Sequence, residues 1–122
     1  MQNMTKGKLE AEVSDAITRF EKEHLGRGPR ETRAHIVEDM ILIRLKGVLT
    51  PAEESLARTP DGSALIKQIR MQLVENSRDL IEALIEDITQ TAVKALYTDI
   101  SSETGERVFV IILDRNLEMD LN

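Results

Sequence analysis

Val108-Phe109-Val110-Ile111-Ile112-Leu113 is the longest uninterrupted apolar run in the chain. Six residues is strand length, far short of the roughly 18 that a bilayer-spanning helix needs. A strand that is apolar at every position has both of its faces covered. Just upstream, Ser101-Ser102-Glu103-Thr104-Gly105 ends on a Thr-Gly pair suited to a left-handed turn position, so Val93 to Ile100 and Glu106 to Leu113 read as a hairpin. A layer of helices covers only one face of such a sheet. The other face needs a second copy of the chain, packed through the sheet or a long helix, or the chain's own tail from Asn116 to Asn122, where Leu117, Met119 and Leu121 alternate.

Before the hairpin, Ile66, Ile69, Leu73, Ser77, Leu80, Leu84 and Ile88 form one helical stripe, predicting a single helix over 63–88 that would be about 39 Å long at the standard rise. Thr59-Pro60-Asp61-Gly62 reads as the break before it, and Thr50-Pro51-Ala52-Glu53 as a capping box opening a short helix that ends near Arg58. In the first half, Leu9, Val13, Ala16, Ile17, Phe20 and His24 predict a helix over 5–25 stopped by Gly26. Arg33 to Glu38 and Ile41 to Leu49 follow as two strands around an Asp39-Met40 turn. At an offset of 61, Val13 falls over Val74, Phe20 over Ile81, Ala34 over Ala95, Ile36 over Tyr97 and Glu38 over Asp99. Both halves therefore read helix-strand-strand. The expectation is one α+β domain, 1–122: a two-layer sandwich in which units 5–58 and 63–118 build a four-stranded antiparallel sheet with helices on one face.

The chain has 122 residues, 16 Lys and Arg against 22 Asp and Glu, two His, no Cys and no Trp. Without cysteine there is no thiolate zinc site, Fe–S cluster, disulfide or thiol catalysis. The net charge of −6 works against generic binding to nucleic acid or anionic lipid. Residues 1–50 hold nine bases and eight acids, and residues 51–122 hold seven bases and fourteen acids, so the imbalance belongs to the second half. Glu75, Asp79, Glu82 and Glu86 share one helical face there, either as a solvated surface or as a docking face for a basic partner. In the first half, Arg27, Arg30 and Arg33 cluster in a Gly/Pro loop that lacks the Gly-Lys-Ser/Thr ending of a P-loop. That loop is a structural connection, or a fork-bearing contact for an anion or acidic partner.

Chemistry is scarce. His24 suits a helix C-terminal position and His35 a mid-strand one, and neither belongs to a metal or nucleophile motif. His35, Glu38 and Asp99 would make a small hydrolase or metal site only if they converged. The expected protein is therefore non-enzymatic, with no catalytic residue, metal or cofactor. Met1 to Lys8 carries no apolar stretch behind its lysines, so no secretory signal is read and the expected location is cytoplasmic.

Several segments occur together: Lys6-Gly7-Lys8-Leu9-Glu10-Ala11-Glu12, Phe20-Glu21-Lys22-Glu23, Gly26-Arg27-Gly28-Pro29, Arg44-Leu45-Lys46-Gly47-Val48-Leu49-Thr50-Pro51-Ala52-Glu53 and Thr104-Gly105-Glu106-Arg107-Val108. In this combination the chain resembles the MpsC-like family over roughly residues 6–118, most specifically in its Gly-Arg-Gly-Pro and Leu-Lys-Gly-Val-Leu-Thr segments. The resemblance implies a link to a bacterial Na⁺-translocating, membrane-potential-generating system associated with inorganic-carbon uptake, and it carries no catalytic residues with it. A chain with no spanning segment cannot itself be an ion path. The resemblance thus implies an accessory or regulatory subunit, expected to be a homodimer with a membrane-protein partner, without direct membrane insertion or nucleic-acid binding. The alternatives are a sensor of a small anion or metabolite at Arg27, Arg30 and Arg33, and a small enzyme.

Overall fold

Thr5 opens the first helix: its hydroxyl accepts from the Lys8 amide at 3.2 Å, replacing a bond that the helix end lacks. The resulting α1, Lys6–His24, buries Leu9, Val13, Ile17 and Phe20 along one stripe, and Leu25 with Gly26 at φ +113 ends it. The computed structural model describes residues 5–121; Met1 to Met4 and Asn122, which the sequence reading places in the single domain, lie outside the described residues.

Strands β1 (Glu31–Val37) and β2 (Met40–Lys46) pair antiparallel. The turn between them is Glu38-Asp39, one residue earlier than the sequence pattern predicts. Glu38 takes the left-handed conformation at φ +57, and Glu118 holds it there, accepting from the Glu38 amide at 2.8 Å and donating its own amide to the Glu38 carbonyl. β2 stops at Lys46 rather than Leu49 because Gly47, at φ +70, turns the chain away. The capping box forms as expected, with Thr50 and Glu53 bonding each other's amides, and opens α2, Pro51–Leu56.

The predicted 26-residue helix is two helices. Thr59 is an N-cap rather than part of a break, so α3 begins at Pro60 and runs to Asn76, and α4 spans Arg78–Thr89. Ser77 ends one and begins the other at φ −111 and ψ 9. A straight helix of that length would overshoot the sheet, whose longest strand, at nine residues, spans about 30 Å. The break lets both segments stay on it. β3 (Val93–Ser101) and β4 (Glu106–Leu113) complete a sheet ordered β1-β2-β4-β3, antiparallel throughout, with Gly105 at φ +73 in the last turn.

The fold is thus the α+β architecture the pattern implies, with the run from Val108 to Leu113 in a central strand. The core lies between the helices and the sheet face that carries Ala34, Ile36, Ile41, Ile43, Leu45, Leu96, Ile100, Phe109, Ile111 and Leu113. Leu117 joins this same core, and a short 3-10 turn, Glu118–Asp120, follows it. The tail therefore closes the helix side and not the opposite face. The offset of 61 keeps Val13 and Val74, and Phe20 and Ile81, buried in pairs, but it sets buried Ile36 against Tyr97, which is 62% exposed. The two halves share an order of elements and not a strand register, which a bulge between Val93 and Ala95 shifts.

Candidate functional site

Alternation along the strands sends Val37, Leu42, Val108, Val110, Ile112 and Tyr97 to the sheet face that no described helix covers. Register makes them neighbours: Leu42 lies beside Val110, and Val110 beside Tyr97, in the middle of the face. Tyr97, Val108 and Val37 are exposed and the others half-buried. Charges gather at the end of the face nearer the β3–β4 turn. Arg33 lies beside Arg44, which bonds Glu106 at 2.5 Å, and a groove of about 530 Å³ runs between Arg33, His35 and Arg44 on one side and Val108 and Val110 on the other. Glu106 and Glu31 titrate below the usual glutamate range, chiefly through their bonds to Arg44 and Arg33. An apolar centre bordered at one end by charge is the composition of a protein contact surface.

The backbone at both edges of the sheet is already engaged. On the β1 edge, Glu10 of α1 accepts from the Ile36 amide at 2.8 Å. On the β3 edge, Glu86 accepts from the Val93 amide at 2.9 Å and Arg78 donates to the Leu96 carbonyl at 2.8 Å. These side chains occupy edge groups that an added strand would use.

Of the loop arginines, Arg27 and Arg30 both lie at the Gly47–Leu49 segment, whereas Arg33 lies apart on the open sheet face. Arg27 donates to the Leu49 carbonyl at 3.2 Å; Arg30 packs against Gly47 and lines a cavity of about 460 Å³ with Arg58, Glu54 and Glu103; Arg33 sits on the open sheet face, 2.7 Å from Glu31. The break at Ser77 also divides the acidic set. Glu75 belongs to α3 and pairs with Arg78 at 2.6 Å, whereas Asp79, Glu82 and Glu86 belong to α4, and Glu86 is half-buried against β3. His35 and Glu38 lie on and next to β1, and Asp99 lies on β3 at the opposite edge, three strand spacings or about 14 Å away. Among the described residues no three His, Asp or Glu side chains cluster as a metal site would require. His24 stacks obliquely on Phe20, with ring centroids 5.1 Å apart.

The residues that sequence reasoning missed lie under the sheet. Arg70 is buried and donates to the carbonyls of Leu25 and Val48 at 2.9 and 2.8 Å and to both carboxylate oxygens of Glu53. Arg107, fully buried, donates to Thr98 Oγ1 and to the Arg70 carbonyl and stacks over the Phe109 ring at 5.6 Å. Glu21 is also fully buried, 3.9 Å from Arg107 Nε, yet neither its oxygens nor that Nε has a hydrogen-bond partner. Burial pushes the Glu21 carboxyl above its ordinary range against the pull of Arg107 and Arg70, and burial lowers Arg107 in turn. Burial also works against ionised Glu53, but the bonds from Arg70 and Thr50 outweigh it and hold that carboxyl low. A signal for all three was present: Ile17-Glu21, Ile66-Arg70-Val74 and Arg107-Phe109-Ile111 keep the apolar period of their helix or strand while changing residue type.

Taken together, the fold and its surfaces define a two-layer α+β domain with one sheet face open for contact. The chain belongs to the MpsC family, described as "Na+-translocating membrane potential-generating system (MpsC)", whose model matches residues 5–115. Among its relatives is "Uncharacterized protein YbcI" of Bacillus subtilis (strain 168), 44% identical over 117 residues that cover 96% of this chain and 94% of the relative. "Uncharacterized protein YrhF" of the same organism is 30% identical over 109 residues, 88% of each chain. No solved structure matches the chain. No described helix is long and apolar enough to cross a membrane.

Proposed function

We propose that the protein is a non-enzymatic, cytoplasmic accessory or regulatory subunit of a bacterial Na⁺-translocating, membrane-potential-generating system linked to inorganic-carbon uptake, acting by docking rather than by catalysis. The observation that carries this reading is the open sheet face, where apolar side chains of all four strands stay exposed or half-buried beside a charged end. An uncovered patch of this kind costs solubility unless something binds it. The family description supplies the setting. With no described helix able to cross a bilayer, the ion path is left to a membrane partner, whose activity this subunit supports.

The test is a deletion in a bacterium that carries the system, with membrane potential measured by a voltage-sensitive dye in sodium and in potassium medium. Deletion is expected to lower the sodium-dependent component, the wild-type chain to restore it, and Val110→Asp, at the centre of the open face, to fail to do so. A sodium-dependent potential unchanged by deletion overturns the proposal.

A further inference from the structure

Resting on the docking reading of the open sheet face, the structure adds the identity and geometry of its occupant: we infer that the face binds a second copy of this chain, around a two-fold axis that runs parallel to the strands. The charge pattern selects this arrangement. On the β1/β2 half of the face, three cations, Arg33, Arg44 and Lys46, stand against Glu31. On the β3/β4 half, the charged strand residues are the anions Asp99, which Lys67 reaches at 3.4 Å from the helix layer, and Glu106. Counted over these strand residues, one half therefore carries a formal excess of two positive charges and the other of two negative charges.

Two sheets facing each other can be related by an in-plane two-fold axis lying across the strands or along them. An axis across the strands lays β1 on β1 and β2 on β2 end for end, so the charged end around Arg33 and Arg44 covers the apolar end around Val37, Met40 and Ile112 of the second copy, burying charge against apolar side chains. An axis along the strands lays β1 on β3 and β2 on β4 of the second copy. Cationic half then meets anionic half, with Arg33 opposite Asp99 of the second copy. The same operation sets Leu42 over Val110, Met40 over Ile112 and His35 over Tyr97, so the apolar centre closes on itself.

Among the described residues, the alternatives within this chain are used up. The edges are engaged by Glu10, Glu86 and Arg78, which argues against joining two sheets edge to edge. The tail buries Leu117 on the helix side. A face four strands wide and about seven residues long measures about 19 by 23 Å, so two copies remove roughly 900 Å² of flat footprint from water, before side-chain relief is counted. That is at the small end of specific interfaces, the range of weak and transient association, so the dimer is expected at micromolar concentrations and not below. Closure by a second copy also leaves the outer surface of α3, where Leu65 and Ile69 are exposed, free for a different partner.

Sedimentation equilibrium of the purified full chain, from 1 to 200 micromolar, tests the proposal. The wild type is expected as a dimer of the 13.8 kDa chain at the upper end of that range. Val110→Asp should weaken association by at least about 100-fold, and Tyr97→Glu, at a site exposed enough to leave folding intact, should weaken it in the same direction. Arg33→Asp and Asp99→Arg, each placing like charges opposite one another, should each weaken it by about 10-fold, and the double variant should return to within about 3-fold of wild type. A monomeric wild type at 200 micromolar overturns the inference, as does a Tyr97→Glu dimer as tight as wild type. Failure of the double charge swap to recover overturns the strand-parallel axis. Mass in solution is read without sodium or membranes, so a monomer refutes this inference while the potential measurement stands, and an intact dimer with no effect on potential refutes the functional reading alone.

Discussion

On the helix-covered face of the sheet, Arg107 is fully buried beside Glu21, whereas one residue further along the same strand, on the open face, Val108 leaves 43% of its surface in water. Each face thus holds the kind of residue expected on the other. The difference lies in what each has been given as compensation. Arg107 and its neighbour Arg70 have backbone carbonyls, a threonine hydroxyl and Glu53 around them, so their guanidinium groups are held largely within one chain, with only Arg107 Nε and the Glu21 oxygens left without a hydrogen-bond partner. Val108, Tyr97 and Val37 have no covering element among the described residues. A buried charge tied to backbone carbonyls is held within the chain itself, whereas an apolar face with no described cover is the surface that the docking reading assigns to another molecule.

The largest effect should come from the covered side. Arg70→Ala removes a guanidinium that ties α3 to Leu25, Val48 and Glu53, leaving two buried carbonyls and a carboxylate without their donor. Urea denaturation should show a loss of about 3–5 kcal/mol, the usual cost of breaking a buried charge pair from one side. A loss below about 1 kcal/mol would mean that solvent reaches these groups, and the contrast between the faces would collapse.

A matched pair on β4 probes the same contrast with one chemistry. Ile111→Thr puts a hydroxyl into the fully buried layer and should cost about 2 kcal/mol or more, while Val108→Thr on the open face should stay within about 0.5 kcal/mol in dilute, monomeric protein. Equal costs, measured by denaturation of both variants, would show that the open face is covered even in the single chain.

This pairing also shows why some of the molecule could be read from residues and some could not. The hairpins, the capping box at Thr50 and the α+β class follow from local rules, and those rules held, with shifts of a few residues at Glu31, Asp39 and Gly47 where a turn or a positive φ decides the boundary. The α3–α4 break was hidden because Ser77 sits within an unbroken helical stripe; what breaks the helix is the size of the sheet beneath it, a tertiary fact. The buried arginines escaped for a related reason. Charged residues are read as surface, and only their placement in the apolar period, Arg70 between Ile66 and Val74, says otherwise. Among the candidate residues, Arg33 and His35 end on the open face, while Arg27 and Arg30 are drawn towards the α2 side by Leu49 and Gly47. Loop composition brings arginines together in sequence and says nothing of where backbone contacts then pull them.

The smallest effect expected is also the most diagnostic of the covered face, because its sign depends on pH. Glu21 has its carboxyl raised in the folded chain, first by burial, with Arg107 and Arg70 only partly offsetting it. A raised acid is one whose neutral form the fold prefers: its contribution is fully present below the ordinary value of 4.5 and is lost as pH rises through the folded value. Glu21→Gln imitates the neutral form at every pH. The variant should therefore be more stable than wild type at pH 7, and its advantage should shrink as pH falls through the raised folded value, where wild-type Glu21 takes up its proton, and be gone below 4.5. Glu53 runs the other way. Burial raises its carboxyl, but Arg70 and Thr50 outweigh that and hold it low, so its contribution is present above 4.5 and lost as pH falls through its depressed folded value. Urea midpoints of both proteins between pH 4.5 and 7 separate the two, since the difference between wild type and Glu21→Gln cancels Glu53. A Glu21→Gln protein that is less stable than wild type at pH 7 would mean that the 3.9 Å pair with Arg107 outweighs the burial of a carboxylate with no hydrogen-bond partner. The charge under the sheet would then be a net support of the fold, and the difference between the two faces would rest on the open one alone.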